Sequence, residues 1–238
     1  MAATLAEAPP RVANSPAVVV DRVSKTFQRG RVEIHALVDA SLTVWEGEFV
    51  AVMGPSGSGK STLLRLIAGL SAPTRGTIEV RGRRVSTMGD DEATIFRRQH
   101  IGVIYQTFNV FPDLTLSENV SVPLLLEGCA EKEARQRVDA MLDILGLSER
   151  GDHLPDEVSG GELQRTAIAR ALVAEPAILL ADEPTGNLDS VTGDGVMIDI
   201  RRAVDDLKRT VILVTHDARA AAYADKIVRL RDGTFEIC

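Results

Sequence analysis

Residues 54–62, GPSGSGKST, place Gly54, Gly59, Lys60 and Ser61 at the spacing of a phosphate-binding loop. The flanks suit that reading: EFVAVM (48–53) has strand length and composition, and KSTLLRLIAGL (60–70) has a helical pattern. Glycines let such a loop wrap tightly, so that backbone N–H groups and a helix N-terminus converge on phosphate oxygens. Lys60 adds a point charge for the β- and γ-phosphates, and the Ser61 hydroxyl offers a ligand to Mg²⁺. Pro55, Ser56, Gly57, Ser58 and Thr62 would complete the cradle. A glycine-rich turn could explain the glycines, but not a Lys-Ser pair at this spacing. The loop predicts binding of a nucleoside triphosphate.

Carboxylates stand at a matching place. ILLADEP (178–184) is an apolar run ending in Asp182 and Glu183, and in a parallel sheet the carboxyl ends of the strands open into the ligand crevice. Asp182 suits the anchoring of Mg²⁺, and Glu183 the deprotonation of an attacking water. VILVTHD (211–217) repeats the pattern, with Thr215 and His216 at its end. His216 is therefore a candidate for contact with the γ-phosphate. Gln106, after IGVIY (101–105), carries no such signal from position alone.

A second glycine-rich helix start, VSGGELQR (158–165), raises a different question. Ser159 and Glu162 have capping-box spacing, so a helix is expected to run on through LQRTAIARALVA. The cap leaves Gly160 and Gly161 unexplained. Two exposed glycines baring a helix N-terminus would make an anion site.

The elements that must position these residues alternate in type. AVVVDRV (17–23), ASLTV (40–44), EFVAVM, GTIEV (76–80), IGVIY, AILLAD (177–182), TVILVT (210–215) and KIVRL (226–230) read as strands. From about 107 to 175 strands disappear; Ala134, Val138, Met141, Leu142 and Leu145 share one helical face. The expected fold is α/β, with a buried, largely parallel sheet formed by 17–106 and 176–238 and a helical insert at 107–175. Residues 1–16 read as a flexible tail.

Composition excludes several classes. A net charge of −7 and a pI near 5.2 argue against broad nucleic-acid binding. Cys129 and Cys238 have neither metal nor disulfide spacing, which fits a reducing compartment and no metal beyond Mg²⁺. No run approaches the roughly 18 apolar residues of a membrane span. A membrane role would therefore be exercised from outside the bilayer.

The succession GPSGSGKST, Gln106, VSGGELQR, ILLADEP, GNLDS and His216 resembles the nucleotide-binding subunit of an ATP-binding-cassette transporter, from about residue 18 to the C-terminus. The resemblance implies a phosphate-loop ATPase whose core sheet is preceded by an antiparallel β portion. It implies ATP and Mg²⁺ held by Lys60, Ser61, Gln106 and Asp182, with Glu183 as general base and His216 as γ-phosphate sensor. Two copies would pack head to tail, Ser159, Gly160 and Gly161 of each completing the partner's ATP site and Asp189 of GNLDS bridging the two sites. Phe27 stands where the family usually has a tyrosine stacking on adenine, and the usual LSGGQ carries Val158 and Glu162 here.

ADEPTGNLDS and YQTFNVFPDLTLSENV look most like the subgroup of macrolide exporters, lipoprotein-releasing ATPases and cell-division ATPases. That implies an integral membrane permease on a separate chain, met at TFNVFPDLTL (107–116), and a place on the cytoplasmic face of the membrane. The alternative is a nucleotide-gated regulatory ATPase that moves no substrate. A DNA-repair ATPase would carry a long coiled-coil insertion, and a GTPase an Asn-Lys-x-Asp motif; neither is present.

Overall fold

The computed structural model describes residues 15–30 and 32–236. The tail expected over 1–16 thus lies outside the described residues except for its last two, and Pro16 already opens the first strand. Cys238 also lies outside them.

β1 (Pro16–Arg29) and β2 (Val32–Trp45) form a long antiparallel hairpin. β3 (Phe49–Met53) leads through the phosphate loop into α1 (Lys60–Ile67). β4 (Arg75–Val80), β5 (Arg83–Arg84), α2 (Asp90–His100) and β6 (Ile101–Ile104) follow. Then come α3 (Leu116–Leu126), α4 (Glu131–Ile144) and α5 (Gly160–Leu172), with no strand between them. β7 (Ile178–Asp182), α6 (Ser190–Asp205), β8 (Thr210–Thr215) and α7 (Ala218–Ala221) precede β9 (Lys226–Arg231) and β10 (Thr234–Phe235).

The strands form two sheets. One is antiparallel, in the order β2-β1-β4-β5; the other runs β10-β9-β3-β8-β7-β6 and is parallel except for the β10–β9 pair. This is the expected α/β architecture, with its antiparallel β portion at the N-terminal end. The central strands are apolar on both faces because both faces are covered. Phe49, Ala51, Leu179, Ala181, Val211 and Leu213 join one core cluster, with the helices α3 to α6. Their neighbours Val50, Val52, Leu180, Ile212 and Val214 join the other, with α1 and the antiparallel sheet. Side chains of a strand alternate between faces, so each central strand is sewn into both layers.

Several boundaries differ from those read in the sequence. The hairpin reaches well past 17–23 and 40–44, over residues that are largely exposed, Val32 to His35 among them although they alternate apolar and polar. α1 stops at Ile67 and not at 70. Gly69 takes a left-handed φ of 65°, and the Leu70 N–H turns back to the Arg65 carbonyl, a glycine-terminated helix end. α2, α6, α7, β5 and β10 are additions to the elements named from the sequence. In α4, Ala134, Val138, Met141, Leu142 and the following Leu145 are all buried, as their spacing predicts.

Candidate active site

The site lies at the carboxyl ends of β3, β7 and β8, whose register brings Met53 beside Thr215 and Asp182 beside Val214. The phosphate loop, Asp182–Glu183 and His216 therefore leave the sheet along one edge. Within the loop, Gly59 has φ 104°, and a Cβ there would lie 2.2 Å from the Ala36 carbonyl oxygen of β2. A Cβ on Gly54 would meet the Leu230 carbonyl at 2.1 Å. Only glycine fits either place. Because Gly59 has no side chain to cap α1, the first-turn N–H groups keep free donors. Ser58 is 3% exposed and its hydroxyl has no hydrogen-bond partner among the described residues.

Lys60 is 5% exposed; its ammonium donates to the carbonyls of Gly54 at 2.8 Å and Pro55 at 3.0 Å. Glu183 Oε1 stands 3.8 Å from the same nitrogen. Its other oxygen, Oε2, is 2.6 Å from His216 Nδ1, so an N–H on that nitrogen donates to the carboxylate. The Ser61 hydroxyl donates to Asp182 Oδ1 at 3.0 Å. Burial pushes the Asp182 carboxyl above the usual carboxylate range, and the Ser61 hydrogen bond opposes that shift. A cation placed between the two would hold it ionised.

Glu183 is held by its backbone as well. It has φ 47°, a left-handed angle uncommon outside glycine, and its N–H donates to the Val214 carbonyl. The strand-to-loop turn is thus made at the residue proposed as base. Gln106 stands at the following loop: its Nε2 donates to Asn187 Oδ1 at 3.4 Å, and the Asn187 amide donates back to the Gln106 carbonyl at 2.9 Å. A Cβ on Gly186 would strike that glutamine side chain at 2.7 Å.

α5 opens with the capping box that the sequence predicts. The Glu162 N–H donates to Ser159 Oγ, and the Glu162 carboxylate accepts from the Ser159 N–H at 2.9 Å and hydroxyl at 2.7 Å. Arg150 Nε donates to the other Glu162 oxygen at 3.0 Å. The expectation of two exposed glycines is corrected here. Gly161 is buried, and a Cβ on it would fall 2.4 Å from Thr192 Cγ2; Gly160 is half-buried beside Leu188 and Phe108. Gly161 serves close packing against α6, while of the three Ser159 alone is exposed.

Residues 37–186 match the family model described as ABC transporter. An uncharacterized ABC transporter ATP-binding protein of Methanocaldococcus jannaschii is 46% identical over 89% of the chain and 94% of its own length. The chain belongs to the ABC transporter ATP-binding family. The macrolide export ATP-binding/permease protein MacB of Burkholderia pseudomallei is 43% identical over 92% of the chain, which spans 33% of that longer protein. Among solved structures, the cassette MJ0796 of M. jannaschii, dimeric in a post-hydrolysis state with ADP and Pi, has 41% identity and a TM-score of 0.85. That match covers 92% of this chain and 97% of the other.

This ABC ATPase thus gathers Lys60, Ser61, Asp182, Glu183 and His216 at one edge, with Gln106 one loop away. Phe27 sits apart on the hairpin arm, paired across from Ile34; it is 43% exposed and the Lys25 ammonium lies 5.1 Å over its ring. Asp189 caps α6, accepting from the Val191 and Thr192 N–H groups and the Thr192 hydroxyl. Sequence reasoning passed over Asn187, although it stands inside the quoted GNLDS, because a hydrogen bond to a loop 81 residues away leaves no local pattern.

Proposed function

We propose that this ATPase works as one half of a head-to-tail pair driving a separate membrane-embedded permease, by export or force transmission. The observation that carries the proposal is the packing of α5. It rests mainly on α3, α4, α6 and β6, whereas α1 rests on β2, β4, β7 and β8. Ser159 is thus carried on different elements from the chain's own phosphate loop. An exposed serine at a helix start would meet a phosphate brought by a second copy by turning its hydroxyl from the Glu162 carboxylate to that phosphate. The dimeric relative with ADP and Pi supports the same reading.

The donor set fits ATP and Mg²⁺. Uncapped α1, the unpartnered Ser58 hydroxyl and buried Lys60 suit phosphate oxygens. Ser61 with Asp182 offers the hard oxygen ligands that Mg²⁺ takes, and Gln106 would reach the same shell from its loop. The bound ion would neutralise charge on the transferring phosphoryl group. Glu183 would take the proton of the attacking water, while His216, held on Glu183 by Nδ1, turns its other ring nitrogen to the γ-phosphate. Ser56, Gly57 and Thr62 would close the loop around the β-phosphate, and Phe27 would stack on adenine. Ser159, Gly160 and Gly161 would meet the partner's nucleotide, with Asp189 between the two sites.

Among the described residues no helix is long and apolar enough to cross a membrane, which suits a peripheral subunit on the cytoplasmic face. The permease would be met at 107–116, where Phe111 is exposed, and by the groove that Arg97, Arg98, Pro123, Leu126 and Arg170 line. The test of the pair is complementation in trans. Lys60→Ala breaks the loop, Ser159→Arg the helix start, and each should be inactive alone. Mixed, they form a heterodimer with both lesions in one site and the other site intact, so part of the ATPase activity returns. Cysteines at Ser56 in one chain and Ser159 in the other should also cross-link only with ATP. Absence of both effects would refute the paired site.

A further inference from the structure

Gln164 is fully buried at 0% exposure, yet its side-chain carbonyl oxygen, Oε1, has no hydrogen-bond partner among the described residues. Its amide Nε2 makes one long bond, 3.4 Å, to the Tyr105 carbonyl. A buried amide so poorly satisfied costs stability, and an apolar side chain of the same length would fill the place without that cost. Packing does not explain it. Among the described residues its side chain is bonded to the peptide carbonyl immediately before Gln106.

Six residues further along α5, Arg170 Nη1 donates to the Asn109 carbonyl at 2.7 Å and Nη2 to the Phe108 carbonyl at 3.2 Å. Phe108 and Asn109 both have left-handed φ angles, 46° and 54°. Such angles persist only where surrounding contacts impose them. From the other side, the Asn187 amide donates to the Gln106 carbonyl at 2.9 Å. The segment 105–109 is therefore suspended by its carbonyl oxygens, three of them from α5. Those bonds fix where the Gln106 side chain stands relative to the helix that begins at Ser159.

We propose that Gln164, aided by Arg170, is a positioning residue for Gln106: it sets the place of that side chain at the nucleotide site by holding the Tyr105 carbonyl. The proposal rests on the reading of Gln106 as a site residue, and the experiment separates the two.

Gln164→Met keeps length and burial and removes the donor. Thermal unfolding should give a midpoint equal to or above that of the parent. Affinity for a fluorescent ATP analogue should be unchanged, since the phosphate loop is carried on other elements. Steady-state kcat should fall about threefold to tenfold, the rate equivalent of one lost hydrogen bond. The decisive measurement is a double-mutant cycle with Gln106→Ala. Positioning predicts that Gln164→Met costs nothing further once Gln106 is gone; a merely structural glutamine predicts that the two losses multiply. Arg170→Gln, at a half-buried place, should show the same dependence and serves if Gln164→Met fails to fold. Multiplying losses, or a parental kcat in both variants, overturns the proposal while leaving Gln106 in the site. A Gln106→Ala variant with parental kcat removes Gln106 from the mechanism and the proposal with it.

Discussion

Glu183 is the residue on which the contacts of the proposed site converge. It is 19% exposed at the side chain, 3.8 Å from Lys60 and 2.6 Å from His216, and its backbone makes the turn out of β7. A carboxylate so held is oriented by two groups that would themselves contact phosphate, which couples the base to the presence of substrate. Glu183→Gln keeps the shape and the hydrogen bonds but cannot take a proton. ATP affinity should persist while single-turnover hydrolysis falls about 10²–10⁴-fold, the usual value of one general base. Hydrolysis at the parental rate would assign the proton to another group. Glu162 is a second carboxylate whose place can be read directly. The Ser159 N–H, then its hydroxyl, hold it below the usual glutamate range. A carboxyl depressed in the folded state stabilises the fold at neutral pH, and that contribution fades as pH falls through its folded value.

At the scale of elements, the start of α5 and the start of α6 form one unit. Gly161 lets Thr192 pack against the helix, the Thr192 hydroxyl donates to Asp189 Oδ2 at 2.6 Å, and Asp189 caps α6. Gly161→Ala drives a methyl group into Thr192 Cγ2, displacing a side chain that the cap needs. The loss should be about 1–3 kcal/mol, the ordinary cost of overpacking, measured by denaturant unfolding. Adding Thr192→Ser removes the colliding methyl and keeps the hydroxyl, so most of the stability should return. No rescue would place the strain elsewhere. The capping boxes of this chain are legible in local sequence: Ser159 with Glu162, and likewise Thr115 with Glu118 at α3. α2 carried a signal too, in Asp90, Asp91 and Glu92 at its first turn against Arg97, Arg98 and His100 at its last. Its weakly apolar face hid it, since only Ala93 and Phe96 are buried.

For the whole molecule, a pair closed around ATP should be strongest where hydrolysis is blocked. Glu183→Gln should elute as a dimer with ATP and Mg²⁺ and as a monomer with ADP. Chelating Mg²⁺ or adding Lys60→Ala should abolish the dimer, because each removes positive charge from the phosphates at the interface. A dimer that ignores nucleotide would rest on some other surface.

Short-range grammar made much of this protein legible in the sequence alone. The phosphate loop, the carboxyl-terminal Asp182–Glu183 and His216, and the Ser159 cap each depend on neighbours within a few residues, where backbone geometry and residue type are tightly coupled. The apolar runs announced the buried parallel sheet for the same reason. Tertiary structure decided what depends on distance across the chain. That Gly161 is buried by Thr192, that Glu183 meets both Lys60 and His216, and that Gln164 holds the carbonyl before Gln106 are contacts made by packing. A local pattern records the propensity of a segment; it holds no record of which distant side chain will stand against it once both faces of the sheet are covered.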